Sequence, residues 1–230
     1  MKITIIHGQS HKGTTYHLAG MISDKLEGEV TEFFLPRDFG EFCVGCNVCF
    51  NKSEKLCPHY EKLKPIVAAL DEADVIILAS PVYVYHVTGA MKAFLDHFGH
   101  RWFAHRPNGE MLKKQAVCVS TAAGAGTKTT NQDMADNMFF WGIGKTYKYG
   151  INVKAITWDG VSEEIRNQMD RDTGKLAEKI KKNRFNIKPT LKFKMFFYLM
   201  RHLHKENYSQ VDRDFWKEKG WMDKVRPWKK

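Results

Sequence analysis

Four of the five cysteines, Cys43, Cys46, Cys49 and Cys57, fall within fifteen residues. The run Cys43-x2-Cys46-x2-Cys49 presents three thiolates to one centre, and Cys57 can supply a fourth. In a chain that reads as intracellular, that clustering points to metal or redox chemistry rather than to a disulfide framework. A 4Fe–4S cluster suits the compact run. Zinc also takes four thiolates, but the run crowds a tetrahedral site more than two separated pairs would. The same four residues also read as free thiols in a loop. Cys118 stands in an apolar run and reads as a small core residue.

Three other segments combine small, hydroxylated and aromatic residues. In Gly8-Gln9-Ser10-His11-Lys12-Gly13-Thr14-Thr15, backbone N–H groups and hydroxyls at a helix N-terminus suit a phosphate. Thr14 stands where a Walker loop needs Lys, and the G-x-G-x-x-G pattern is absent, which disfavours an NTPase or a dinucleotide site. In Ser80-Pro81-Val82-Tyr83-Val84-Tyr85-His86, Pro81 stiffens the chain and a tyrosine can line a flat heteroaromatic ring. In Thr121-Ala122-Ala123-Gly124-Ala125-Gly126, small residues let a planar ring approach the backbone. Taken singly, each also reads as a turn, a cap or ordinary packing.

These loops gain meaning from the elements around them. The β-branched run Lys2–His7 predicts a strand, and Thr14 or Thr15 caps a helix to about Leu26. Val30–Leu35 is a second strand, and 36–57 a long irregular segment of the kind that usually carries function. A helix beginning near Pro58 shows Leu63, Ile66, Val67 and Leu70 on one face. Val75–Ala79 is apolar at every position, as in a strand buried on both faces. Met91, Phe94, Leu95 and Phe98 mark a helix, Gln115–Ser120 a fourth strand, and another helix runs to about Trp141. Tyr149–Ile156 is expected as the fifth strand and Val161–Lys182 as a long helix. The alternation predicts a doubly wound α/β domain with a five-stranded parallel sheet, order 2-1-3-4-5. Ligands of such sheets bind beyond the carboxyl ends of the strands, where the three loops fall.

On these residues, and on Lys92-Ala93-Phe94-Leu95-Asp96 after the second loop, the chain resembles the NAD(P)H-dependent FMN reductase group of flavodoxin-like proteins. That group includes iron–sulfur flavoproteins and quinone reductases, and the likeness spans roughly residues 1–183. Gln9, Ser10 and His11 stand where members usually carry Ser, Pro and Arg. The resemblance implies that Gln9, Ser10, Lys12, Thr14 and Thr15 hold the FMN phosphate. Pro81, Val82, Tyr83 and Val84 would contact ribityl and ring, and Thr121, Ala122, Gly124 and Gly126 the ring edge. The flavin would carry the chemistry, so no catalytic side chain is named. NAD(P)H would be the reductant and a quinone-like or other small molecule the acceptor. The cysteine run resembles the iron–sulfur flavoprotein motif, with a 4Fe–4S cluster on Cys43, Cys46, Cys49 and Cys57. The competing readings are an electron-transfer protein serving a protein partner and a cysteine-based redox or metal sensor. A homo-oligomer is implied by resemblance only.

The net charge of +10 is uneven: residues 184–230 hold 13 Lys/Arg against 5 Asp/Glu, while 1–183 is near neutral. The expected division is therefore a flavodoxin-like domain over 1–183 and a basic, aromatic-rich helical tail over 184–230. The tail's apolar segment, 191–203, is too short and too punctuated by charge to span a bilayer, and Tyr208, Phe215, Trp216, Trp221 and Trp228 follow it. It reads as an arm wrapping its own body or a neighbouring subunit, with weak membrane-surface contact as the sharper alternative. Nucleic acid is not expected as a partner. Met1–His7 has no signal-peptide pattern, so a cytoplasmic location is expected.

Overall fold

The computed structural model describes residues 1–184, 186–206 and 209–229; Tyr208 lies outside the described residues. Five strands form one parallel sheet in the order β2-β1-β3-β4-β5. They are β1 (Lys2–His7), β2 (Glu29–Phe34), β3 (Val75–Ala79), β4 (Gln115–Ala122) and β5 (Lys145–Asn152). The helices are α1 (Thr14–Leu26), the short α2 (Val48–Asn51), α3 (Tyr60–Glu72), α4 (Gly89–Asp96), α5 (Thr127–Phe140) and α6 (Glu163–Asn183). The tail adds α7 (Leu191–Lys205) and α8 (Gln210–Glu218).

The central strands β1, β3 and β4 are buried on both faces, which accounts for the unbroken apolar run of β3. Val75, Ile77 and Ala79 pack with Val117 and Val119 under α1 and α6. Ile76 and Leu78 pack with Cys118 on the opposite face, under α3, α4 and α5. Each fully buried Ile, Leu or Val contributes about 1.5–3 kcal/mol relative to exposure. Cys118 is the small core residue expected, and burial pushes its thiol far above the ordinary range.

Two strands, β4 and β5, differ from expectation by two residues or more at a boundary. β5 runs over Lys145–Asn152, four residues earlier than the apolar content of 149–156 suggested, pairing residue for residue with Gln115–Ala122. An edge strand has one covered side, so Lys145 and Lys148 sit in it at no cost and mask its pattern. β4 extends through Thr121 and Ala122, so these begin the third loop from within the sheet.

The tail folds onto its own body. Phe193, Phe197, Met200, Trp216 and Trp221 form a third apolar cluster with Phe103 and Leu112. The Phe103 and Trp221 rings stack at 5.6 Å, and Phe193 meets Phe103 edge-on at 4.6 Å. The other side of α7 leaves Leu191, Met195, Tyr198 and Leu199 exposed. Among the described residues no helix is long and apolar enough to cross a membrane.

Candidate functional site

The strand order places three chain reversals side by side at the carboxyl edge of the sheet. β1 delivers His7 and the first loop, β3 the second, and β4 the third. They enclose a cavity of about 310 Å³, within the range of small-molecule sites. Gln9, Thr14, Thr15, Pro81, Val82, Tyr83, Thr121 and Ala122 line it.

Hydrogen bonds stitch the loops together. The Thr15 and Thr121 hydroxyls, both buried, lie 2.6 Å apart across 106 residues. Thr88 Oγ1 donates to the Gly8 carbonyl at 2.7 Å and accepts from the Met91 N–H as cap of α4. A Cβ on Gly8 would stand 2.9 Å from that hydroxyl, so only glycine permits the contact. Gly126, at φ +103°, opens α5 where a Cβ would come within 2.6 Å of Val82. Gly13 precedes α1 without a side-chain cap, an arrangement in which first-turn N–H groups are available to a ligand.

The second loop carries backbone strain. Tyr83 and His86 exchange backbone hydrogen bonds at 3.0 Å, and the two residues between them, Val84 and Tyr85, have φ of 48° and 66°. A β-branched residue there costs on the order of 1–3 kcal/mol, and such strain clusters at ligand sites. The turn is held by His86 Nδ1 against Asp133 Oδ2 at 2.9 Å, so His86 serves as an anchor.

Five residues named from sequence do not line the cavity. Ser10 Oγ donates to the Leu35 carbonyl at 3.2 Å. Lys12 Nζ lies 5.1 Å over the Tyr16 ring. Val84 is 91% exposed. Gly124 has open space around it, and Gly126 serves the close approach already described.

Other lining residues had no signal in the sequence. Val153, Ala155 and Ile156 follow β5 and come into place only because β5 neighbours β4. His7 also lines the cavity. It is buried, stacks on Phe34 at 4.4 Å and meets Glu32 Oε1 at 2.8 Å. Burial lowers its basicity more than Glu32 restores it.

The cysteine loop lines a separate, larger cavity of about 510 Å³. Cys43 and Cys46 are exposed, while Cys49 and Cys57 are half-buried. Burial, and then the negative charge of Cys57, Cys43 and Cys46, push the Cys49 thiol up, so the four share one electrostatic neighbourhood. Arg106 donates to the carbonyls of Cys49 and Phe50 and pairs with Asp212 of α8. Phe215 and Lys219 from the tail complete the wall. Arg106 and the tail's part in this site carried no signal in the sequence.

The sequence model of the NADPH-dependent FMN reductase family matches residues 1–147. Among relatives, an iron–sulfur flavoprotein of Archaeoglobus fulgidus is 26% identical over 187 residues, 79% of this chain and 80% of its own. One of Methanosarcina thermophila is 27% identical over 198 residues, 80% of this chain and 99% of its own. An NADPH azoreductase of a Bacillus species is 32% identical over 111 residues, 46% of this chain and 55% of its own. In structure, a flavone reductase matches with TM-score 0.58 at 17% identity, covering 83% of this chain and 66% of that one. The azoreductase of Bacillus anthracis matches with TM-score 0.55 at 14% identity, covering 78% of this chain and 99% of that one. Both structural likenesses show the flavodoxin-like fold.

Proposed function

Because the chain belongs to the NADPH-dependent FMN reductase family, we propose that this FMN-dependent NAD(P)H oxidoreductase passes electrons to a quinone-like or other small acceptor. The observation that carries the reading is the cavity where Gln9, Thr14 and Thr15 meet residues 81–83 and 121–122, tied by the Thr15–Thr121 hydrogen bond. Buried hydroxyls, an open helix N-terminus and small apolar walls fit a phosphorylated flat ring system. Bound FMN supplies hydride and electron transfer, and the protein supplies position and electrostatics.

In this reading Gln9, Thr14 and Thr15, with the first N–H groups of α1, hold the phosphate. Pro81, Val82 and Tyr83 border the ring, and Thr121 and Ala122 its polar edge. Ser10, Lys12, Val84, Gly124 and Gly126 shape the loops from outside the cavity. We assign no side chain a proton-transfer step. Exposed Val84, Tyr85 and Ile156 near the cavity mouth suit contact with a second copy. The outer stripe of α7 suits weak membrane-surface contact, and sedimentation with and without anionic vesicles separates the two.

The purified protein is expected to carry flavin absorbance that NADPH or NADH bleaches. Bound FMN that neither nucleotide reduces would favour an electron carrier serving a protein partner. Colourless protein that rejects added FMN would leave the cysteine-based sensor. Thr15→Ala removes one buried hydroxyl and is expected to weaken FMN binding by about 0.5–1.5 kcal/mol, roughly two- to tenfold. Unchanged affinity in a fluorescence titration would take Thr15 out of the phosphate site.

The cysteine loop fits a 4Fe–4S cluster only in part. Its four thiols line one cavity, and relatives are named iron–sulfur flavoproteins. Yet the group of donor atoms drawn within 4.8 Å of one another, among the described residues, joins Cys57 to two histidines.

A further inference from the structure

Helix α7 is apolar on two opposite sides. Phe193, Phe197 and Met200 face the body. Leu191, Met195, Tyr198 and Leu199 recur at i, i+4, i+7 and i+8 and stand outward, Leu191 at 74% and Met195 at 65% exposure. A helix that only covers its own domain carries polar residues on its outer side. Val225 is exposed as well, and its neighbour Arg226 donates to the Tyr198 hydroxyl at 3.2 Å, which brings residues 225–226 beside the stripe. Half-buried Trp228 meets the Tyr198 ring at 6.3 Å. A contiguous exposed apolar patch of this kind marks an interaction surface.

The charges around the stripe share one sign. Residues 186–205 hold five Lys or Arg and no Asp or Glu. At 3.6 residues per turn, Lys192 borders the stripe on one side, and Lys194, Arg201 and Lys205 border it on the other. Arg201 is engaged with the Met222 and Asp223 carbonyls, and Lys192 Nζ lies 4.6 Å from the centre of the Phe139 ring. These charges decide which occupant fits. A second copy seated two-fold on this face would set the cations against their own images, and like charges across an interface cost affinity. An anionic lipid surface satisfies both features. The apolar crest enters the headgroup region, and the cations on its shoulders meet lipid phosphates. Tyr198 and Trp228 at the rim suit the headgroup level.

We propose that α7 docks this protein peripherally on an anionic membrane surface, lying in the plane of the headgroups. The 15-residue helix is about 22 Å long and keeps its inner face on the body, so contact is shallow and reversible. The orientation follows from the packing. Phe196 meets Phe139 and Phe140 at the end of α5, and Phe193 and Phe197 share a cluster with Leu112, which precedes β4. α5 starts at Thr127, just after the third loop, and runs away from it to Phe140. α7 therefore sits toward the amino edge of the sheet, and the flavin cavity at the carboxyl edge faces away from the bilayer. NAD(P)H and a water-soluble acceptor reach it from the aqueous side. Among the described residues α7 lines neither cavity, so attachment does not depend on what fills either of them.

Co-sedimentation of the full-length, FMN-loaded protein with sucrose-filled vesicles tests this directly. Binding is expected to vesicles holding about 30 mol % phosphatidylserine in phosphatidylcholine. It should be roughly tenfold weaker or more with phosphatidylcholine alone, and largely lost near about 0.5 M salt. Leu199→Glu, at an exposed site, should weaken it roughly tenfold or more. Lys194→Glu with Lys205→Glu should weaken it roughly 25-fold or more, at about fivefold per cation. Lys175→Glu with Lys179→Glu on α6 changes the net charge equally and should leave binding within about threefold. Circular dichroism and FMN occupancy are read in every variant and should match wild type, so a failure to dock is distinguishable from a failure of the fold or of the flavin site. NADPH should bleach the flavin equally fast on vesicles and in solution, and a flavin shielded on vesicles would reverse the orientation. No binding at about 1 mM lipid, equal binding to both vesicle types, full binding by Leu199→Glu, or an equal loss in the α6 pair would each overturn the proposal. A dimer in solution that Leu199→Glu dissociates would give the face to a second copy.

Discussion

Asp212→Ala is expected to lower the unfolding free energy by about 3–5 kcal/mol, the cost of breaking one side of a buried ion pair. Asp212 is 1% exposed on the first turn of α8. It accepts from His105 Nδ1 at 2.7 Å and pairs with Arg106, itself largely buried. Without the carboxylate, Arg106 keeps, among the described residues, the carbonyls of Cys49 and Phe50 as hydrogen-bond partners. For a chain of this size the melting temperature should fall by roughly 10 °C. Asp214→Ala, on the same helix, should stay within about 0.5 kcal/mol. A loss below about 1 kcal/mol for Asp212→Ala in urea or thermal unfolding would show that the tail is held by its aromatic cluster alone.

The pH dependence has a definite sign. Burial works to raise the Asp212 carboxyl, but the His105 hydrogen bond and the charges of His105 and Arg106 outweigh it and hold it below its ordinary value. A depressed carboxylate contributes stability above its unfolded pKa, near 3.9, and loses it as pH falls through the lower folded value. The gap between wild type and Asp212→Ala should therefore be present at about pH 5 and close only below about 4.

Ala122→Phe is expected to reduce FMN affinity at least a hundredfold, about 2.7 kcal/mol. Ala122 ends β4, is 7% exposed and lines the smaller cavity. Its carbonyl accepts from the Val153 N–H at 2.8 Å, so the backbone cannot easily retreat. A phenyl group there fills space that a ring edge needs, and overpacking adds a stability cost of about 1–3 kcal/mol. Fluorescence titration reads the affinity, and far-UV circular dichroism checks that the sheet persists. Wild-type affinity in a folded variant would place the flavin elsewhere.

The sheet order was legible because it rests on short-range patterns: the fully apolar β3, the strand–loop–helix alternation and right-handed crossovers. The three loops were legible as candidates because glycine, threonine and proline mark where the chain turns. The start of β5 was not, since an edge strand tolerates lysines. Nor was the contribution of 153–156 to the cavity, which depends on which strand lies beside β4. The aromatic, basic tail stood out by composition. Its partners, Phe103, Leu112 and Arg106, carry no mark that distinguishes them from other core or charged residues.

The cysteine loop shows the division most clearly. Its spacing alone established that several thiols lie within reach of one centre, because a short loop cannot separate them. Tertiary structure alone decided that His97, terminating a helix that packs on the same sheet face as α3, would meet His59 across 38 residues of chain. Local spacing limits how far apart neighbours can be, whereas contacts between distant segments follow from how helices pack on the sheet.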